Sequence, residues 1–233
     1  MYREWFDWLF RNEDWGHRKQ TVIYSGNNAI GGITDLRSPI YPPGMEPHAS
    51  IYILVDQVDA TVGKAVEAGG KVLLEPFDLP GMGRMATLQE PQGAVLSVWE
   101  ETGAFTGIGK QDKSEEGASW IVLFTTEVTQ ACHFYRQVFD WEMKHMDDGD
   151  RTGIGIWNRG RQIGVIVEKD GTEKQTAAEW IIGYKVGALE KQCARAASLG
   201  AQVAATQPER QRMNQMAYGV GTDVIPFVLV QLS

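Results

Sequence analysis

Few residues in this 233-residue sequence combine the types and spacing that chemistry demands. His145–Asp150 (HMDDGD) is acidic enough to suggest a calcium loop, but it lacks the alternate-position ligands and terminal glutamate of one. It reads as a polar hairpin turn. Gly103–Lys110 (GAFTGIGK) is glycine-rich, yet Ala104 and Gln111 stand where a phosphate loop needs glycine and Ser/Thr. No G-x-S-x-G elbow is present to seat a nucleophile. Arg159 and Arg161 flank Gly160 in a hairpin and are expected to be solvated, as are Arg210 and Arg212. Cys132 and Cys193 sit inside apolar helical patterns, which suits buried thiols of a reducing compartment better than a disulfide or metal pair. The tryptophans remain: most fill cores, but any that face a cavity could stack on a ligand.

The elements that would position such residues are short. Ser50–Val55 (SIYILV) is β-branched and apolar, a strand. Asp59–Ala68 carries Val62, Ala65 and Val66 at helical spacing, with Asp59 as the expected N-cap and Gly69-Gly70 as the stop. Three strands follow, Lys71–Leu74, Arg84–Leu88 and Ala94–Trp99, separated by PGMG and EPQG turns. That order is βαβββ. It recurs twice beyond residue 118: strand Trp120–Thr125 with helix Gln130–Phe139, and strand Trp180–Val186 with helix Leu189–Leu199, each before three strands.

The chain also repeats itself. YREWFDW at Tyr2–Trp8 returns as YRQVFDW at Tyr135–Trp141, five of seven residues identical at an offset of 133. The same offset carries Gly16 to Gly149, Arg18 to Arg151 and Ile30-Gly31 to Ile163-Gly164. Val55–Val72 matches Val186–Val203 at an offset of 131, and Met85-Ala86 matches Met216-Ala217. The expected domains are therefore residues 1–102 and 118–233, joined by a linker over residues 103–117 that is rich in glycine and charge. Because Tyr2 aligns with Tyr135, the counterpart of strand Trp120–Thr125 would precede Met1. The first domain is expected to lack its N-terminal strand, as from a mis-assigned start, and to associate through the open sheet edge.

Trp120–Glu142 and Val55–Glu100, with the glycine-glycine helix stop, the PGMGR turn and the proline-glutamine-glycine turn, resemble the vicinal oxygen chelate superfamily of glyoxalases, bleomycin-resistance proteins and extradiol dioxygenases. The resemblance spans nearly the whole chain. It implies an α+β fold of paired βαβββ units forming two glyoxalase-like domains with cupped mixed sheets. It also implies a divalent metal held by His, Glu or Gln at strand positions that can be checked one by one. Those positions carry Trp120, Ser50, Ile181, Ser97 and Val228, none a good ligand for a catalytic divalent ion. His48 lies two residues outside its ligand position, and Glu100 has the opposite strand parity from Ser97, so neither is expected to replace the lost site. No metal or other cofactor is expected.

Strand parity then marks the residues facing each cleft. In the first half these are Ser50, Tyr52, Ser97 and Trp99, a mix of hydroxyls and aromatic faces suited to orienting a ligand. In the second half they are Trp120, Val122, Phe124, Ile181, Val228 and Val230, nearly all apolar, and that cleft is expected to be packed shut or to take only an apolar compound. Ser50, Tyr52, Ser97, Trp99, Trp120 and Phe124 are the candidate ligand-binding residues; no catalytic residue is assigned. The expected function is metal-independent binding of a small molecule, after the family precedent of sequestering a toxic compound. The alternative is a lyase, isomerase or dioxygenase with an atypical site. A net charge of −8 and a pI near 5.1 argue against a nucleic-acid partner. No apolar run is long enough to span a bilayer and no signal peptide is evident, so a cytoplasmic setting is expected.

Overall fold

Period-two alternation and helical stripes sort the chain into four successive pieces. The first contains α1 (Tyr2–Phe6), β1 (Leu9–Asp14), β2 (Lys19–Ser25) and β3 (Asn28–Ile33). The second contains β4 (Tyr52–Leu54), α2 (Val58–Glu67), β5 (Lys71–Leu79), β6 (Gly83–Gln89) and β7 (Val95–Glu101). The third contains β8 (Gly117–Thr125), α3 (Val128–Phe139), β9 (Glu142–Met146), β10 (Gly153–Asn158) and β11 (Arg161–Glu168). The fourth contains β12 (Glu179–Lys185), α4 (Leu189–Ser198), β13 (Gln202–Ala205), β14 (Met216–Val220) and β15 (Pro226–Val230). This computed structural model describes residues 1–14, 19–37, 44, 47–79, 81, 83–101, 117–146, 153–169, 176–205, 216–222 and 225–231. The loop at 147–150, residues 103–116 of the expected linker, Gly16, Arg18, Arg151, Arg210 and Arg212 lie outside the described residues, and Gly117, the linker's last expected residue, begins β8. No described helix is long and apolar enough to cross a membrane.

The sequence offsets reappear as strand registers. Ile23 pairs with Gly31 and Tyr24 with Ala29 across a bulge. At 133 residues' distance Ile156 pairs with Gly164 and Trp157 with Gln162, across a bulge at the same step. Met85 pairs with Trp99, and 131 residues on Met216 pairs with Val230. Asp7 and Asp140 end α1 and α3 in the same left-handed conformation, which aspartate tolerates better than most residues.

The compact units do not coincide with the two sequence halves. One comprises residues 1–49, 107–119 and 184–233; the other comprises 50–106 and 120–183. The second unit shows why. Helices α2 and α3 each bury one apolar stripe, and they bury it in a common core: Val58 and Ala65 meet Ala131, Phe134 and Tyr135 there. Gly70 stays open for this packing, since a β-carbon there would stand 3.0 Å from the Phe134 ring. The Trp180 indole donates to the Tyr135 hydroxyl at 2.9 Å, and burial pushes that phenol well above its ordinary pKa. In the turn between β6 and β7, buried Glu90 accepts the backbone N–H groups of Gln92 and Ala94, and desolvation raises its pKa. Gln92 accepts the Glu127 N–H at 2.9 Å, tying that turn to the start of α3.

Helix α2 starts differently from the sequence expectation. Its N-cap is Gln57, and Asp59 sits in the first turn, where Arg84 holds it in an ion pair of 2.7 Å and depresses its pKa. The backbone N–H of Val58, the first residue of α2, donates to Glu100 of β7 at 2.9 Å. In the other unit, Gln231 takes the Leu189 N–H of α4 in the same way at 2.7 Å. Glu100→Ala should therefore cost about 1 kcal/mol, a fall in Tm of about 2–4 °C. Glu100→Gln should retain most of the stability, because Gln231 performs the same task with an amide. A thermal melt of both variants checks this; equal losses would show that charge, and not the hydrogen bond, secures the helix.

Candidate functional site

In the unit built from 50–106 and 120–183, β4, β7, β6 and β5 form a four-stranded sheet in that order. Helix α2 covers one face, over Ile53, Ala86, Leu88, Leu96 and Val98. Register places Tyr52 beside Ser97 and Leu54 beside Trp99, with Thr87 opposite Ser97 and Met85 opposite Trp99. These residues line the face away from α2, so Tyr52 and Trp99 point as strand parity requires. Ser50 precedes β4 with the same parity and is exposed.

The Tyr52 and Leu54 end of this face is exposed, whereas Ser97 and Met85 on the same face are buried. Tyr52 is 53% exposed and Leu54 59%. The Tyr52 and Trp99 rings stand 6.3 Å apart at 75°, an edge-to-face pair. Beside them the Ser97 and Thr87 hydroxyls hydrogen-bond at 3.0 Å. Thr87, Met85 and Leu54 were not singled out from the sequence; the pairing of β6 with β7 and of β4 with β7 is what recruits them. Exposed apolar side chains grouped on one sheet face mark an interaction surface more often than chance exposure does.

Trp120 and Phe124 belong to a different sheet of the same unit, on β8, which pairs with β11. Trp120 is only 2% exposed, and its ring lies so close to Gly183 that a β-carbon there would approach within 2.8 Å. Val122 and Ile181 are also buried, and Phe124 is partly exposed. In the other unit Val228 and Val230 are fully buried. The apolar set is thus packed, and Trp120 offers a ligand no accessible surface.

The superfamily's metal does not fit these residues. Trp120, Ile181 and Val228 carry no donor suited to a divalent cation, and Ser97 spends its hydroxyl on Thr87. Glu100 serves α2, on the opposite side of the sheet from Ser97, and His48 is exposed. Among the described residues no three His, Cys, Asp or Glu side chains converge as a metal site. The cysteines are free: Cys132 is buried, Cys193 is only half-buried where full burial was expected, and desolvation raises both thiol pKa values.

A further cavity of about 250 Å³ lies in the other unit, lined by Trp5, Trp8, Ser25, Gln192 and Arg195 among others. The Trp5 indole donates to Gln192 at 2.9 Å, and Arg195 donates to the Glu4 carbonyl, so much of its polarity is already engaged.

Three βαβββ pieces, a fourth αβββ piece and mixed sheets define the class as an α+β fold of glyoxalase and dioxygenase type. No family model matches the chain. CFP32 of Mycobacterium bovis, a protein named as a glyoxylase, is 44% identical over 77 residues, 33% of this chain and 28% of that protein. The anthracycline biosynthesis protein DnrV of Streptomyces peucetius is 26% identical over 203 residues, 79% of this chain and 70% of its own length. An extradiol ring-cleaving dioxygenase from B. fuscum has the same fold, with a TM-score of 0.61 at 13% identity over 100% of this chain and 66% of its own. The chain is similar in sequence to these two relatives and shares the fold of the extradiol dioxygenase.

Proposed function

We propose that the protein binds a planar aromatic small molecule on the face of the β4-β7-β6-β5 sheet away from α2, with no resident metal. The edge-to-face pair of exposed Tyr52 and part-buried Trp99, beside the Ser97–Thr87 hydroxyls, is the observation that carries this reading. Flat aromatic surface supplies most of the binding free energy, and the part-exposed Thr87 hydroxyl, backed by buried Ser97, fixes orientation, the usual division of labour in a ligand site. The relative named for anthracycline biosynthesis points to the same chemistry, a polycyclic phenol or quinone. Sequestration, as in bleomycin-resistance proteins, needs only binding, which these residues can provide. The charge and free thiols suit a cytoplasmic setting.

Titration with an anthracycline, followed by tryptophan fluorescence, should give saturable quenching that EDTA does not alter. Elemental analysis of the purified protein should find far less than one zinc, iron, nickel or manganese per chain. Absence of saturable binding would overturn the ligand class; near one metal per chain would overturn the metal-independent reading. A superfamily enzyme with an atypical site is the second reading, favoured by the fold shared with the ring-cleaving dioxygenase. Turnover of a catechol or a methylglyoxal–thiol adduct after adding Fe(II) or Mn(II) would establish it.

A further inference from the structure

The repeat makes the two units comparable residue by residue. At an offset of 133, Trp5 and Asp7 at the end of α1 correspond to Val138 and Asp140 at the end of α3. At an offset of 131, Gln192 and Arg195 of α4 correspond to Thr61 and Lys64 of α2. In the unit built from 50–106 and 120–183, Lys64 reaches Asp140 at 3.4 Å, and the Thr61 hydroxyl donates to the Gln57 carbonyl. The other unit is arranged differently. Its larger pair, Trp5 and Gln192, hydrogen-bonds at 2.9 Å. Arg195 donates to the Glu4 carbonyl and, among the described residues, makes no ion pair with Asp7. Arg195 and Asp7 instead both line the cavity of about 250 Å³.

The contacts already made leave particular groups to spare. Gln192 spends its carbonyl on the Trp5 indole, which leaves its amide NH2 to donate. Arg195 keeps the guanidinium N–H groups that Glu4 does not take. Asp7 is exposed and brings a carboxylate. Trp5 and Trp8 are buried, and Phe6, stacked on them at 4.5 and 5.1 Å, is the ring of the lining that stays partly exposed. A lone anion would meet the Asp7 carboxylate, and a lone cation would meet Arg195. A ligand carrying both charges satisfies both residues.

We infer that this cavity binds a free aromatic amino acid. Its carboxylate lies on Arg195 and Gln192, its ammonium on Asp7, and its ring against Phe6. The volume falls below the roughly 300–1,000 Å³ of sites for drug-sized ligands, which suits a molecule this small. The inference is independent of the ligand assigned to the β4-β7-β6-β5 sheet.

Calorimetric titration of the full chain with L-phenylalanine should show saturable binding. Asp7→Asn and Arg195→Leu should each weaken it about tenfold. Asparagine accepts the left-handed backbone of Asp7, so that variant keeps its fold. Asp140→Asn, at the matching place in the other unit, should leave the affinity unchanged. Phenethylamine, which lacks the carboxylate, and N-acetylphenylalanine, which lacks the ammonium, should bind about tenfold more weakly or worse. Absence of saturable binding at millimolar phenylalanine would overturn the inference, as would full affinity in Asp7→Asn or for either analogue. Affinity lost in Trp99→Ala but kept in Asp7→Asn would overturn it too, placing phenylalanine on the sheet face.

Discussion

Trp99→Ala should weaken binding of a planar aromatic ligand by about thirty-fold, roughly 2 kcal/mol of lost ring contact and buried area. Trp99→Phe should recover most of it, because a smaller ring still presents a π-face to the ligand. Tyr52→Ala should lose somewhat less, since Tyr52 is already half in solvent and contributes mainly the edge-to-face wall. The β4-β7-β6-β5 sheet should survive both changes, because its core lies on the opposite face, under α2. Phe124→Ala, on the other sheet of the same unit, is the control. Calorimetric titration of all four variants decides the matter: unchanged affinity in Trp99→Ala with loss in Phe124→Ala would move the site to β8.

Gly164→Val should be strongly disruptive. Its β-carbon would fall 2.2 Å from the Ile121 carbonyl oxygen and 2.7 Å from the Ile121 side chain, and a backbone oxygen in a paired strand cannot step aside. Strand β8 would have to leave β11, exposing Leu123 and Ile166, both fully buried. A cost of about 3 kcal/mol or more is expected, a fall in Tm of about 10 °C. Gly31→Ala, at the matching position one repeat earlier, should be neutral within about 0.5 kcal/mol, because among the described residues only Ile23 lies within reach. Paired denaturant titrations check both. Similar losses at Gly31 and Gly164 would mean that glycine is required by the hairpin itself and not by the neighbouring strand.

What the sequence determined was local or repeated. Alternation in SIYILV and in the strand closing at Trp99 set Tyr52 and Trp99 on the face away from α2, because successive side chains of a strand must oppose each other. The offsets of 133 and 131 carried whole registers, down to the bulge beside Ile23 and Ile156, because equal spacing of like residues builds equal hairpins. That Ser50, Ser97, Trp120, Ile181 and Val228 are poor donors for a divalent cation is read from residue type alone, because side-chain chemistry needs no coordinates. Only tertiary structure decided the rest. Tyr52 and Trp120 lie on the same kind of strand with the same parity, yet one is half in solvent and the other sealed, since burial depends on what distant segments pack above a face. Glu100 reached the start of α2 from 42 residues away, and Thr87 found Ser97 through a hairpin. The compact units likewise cut across the repeats, because α2 and α3 bury more apolar surface in one core than either could alone.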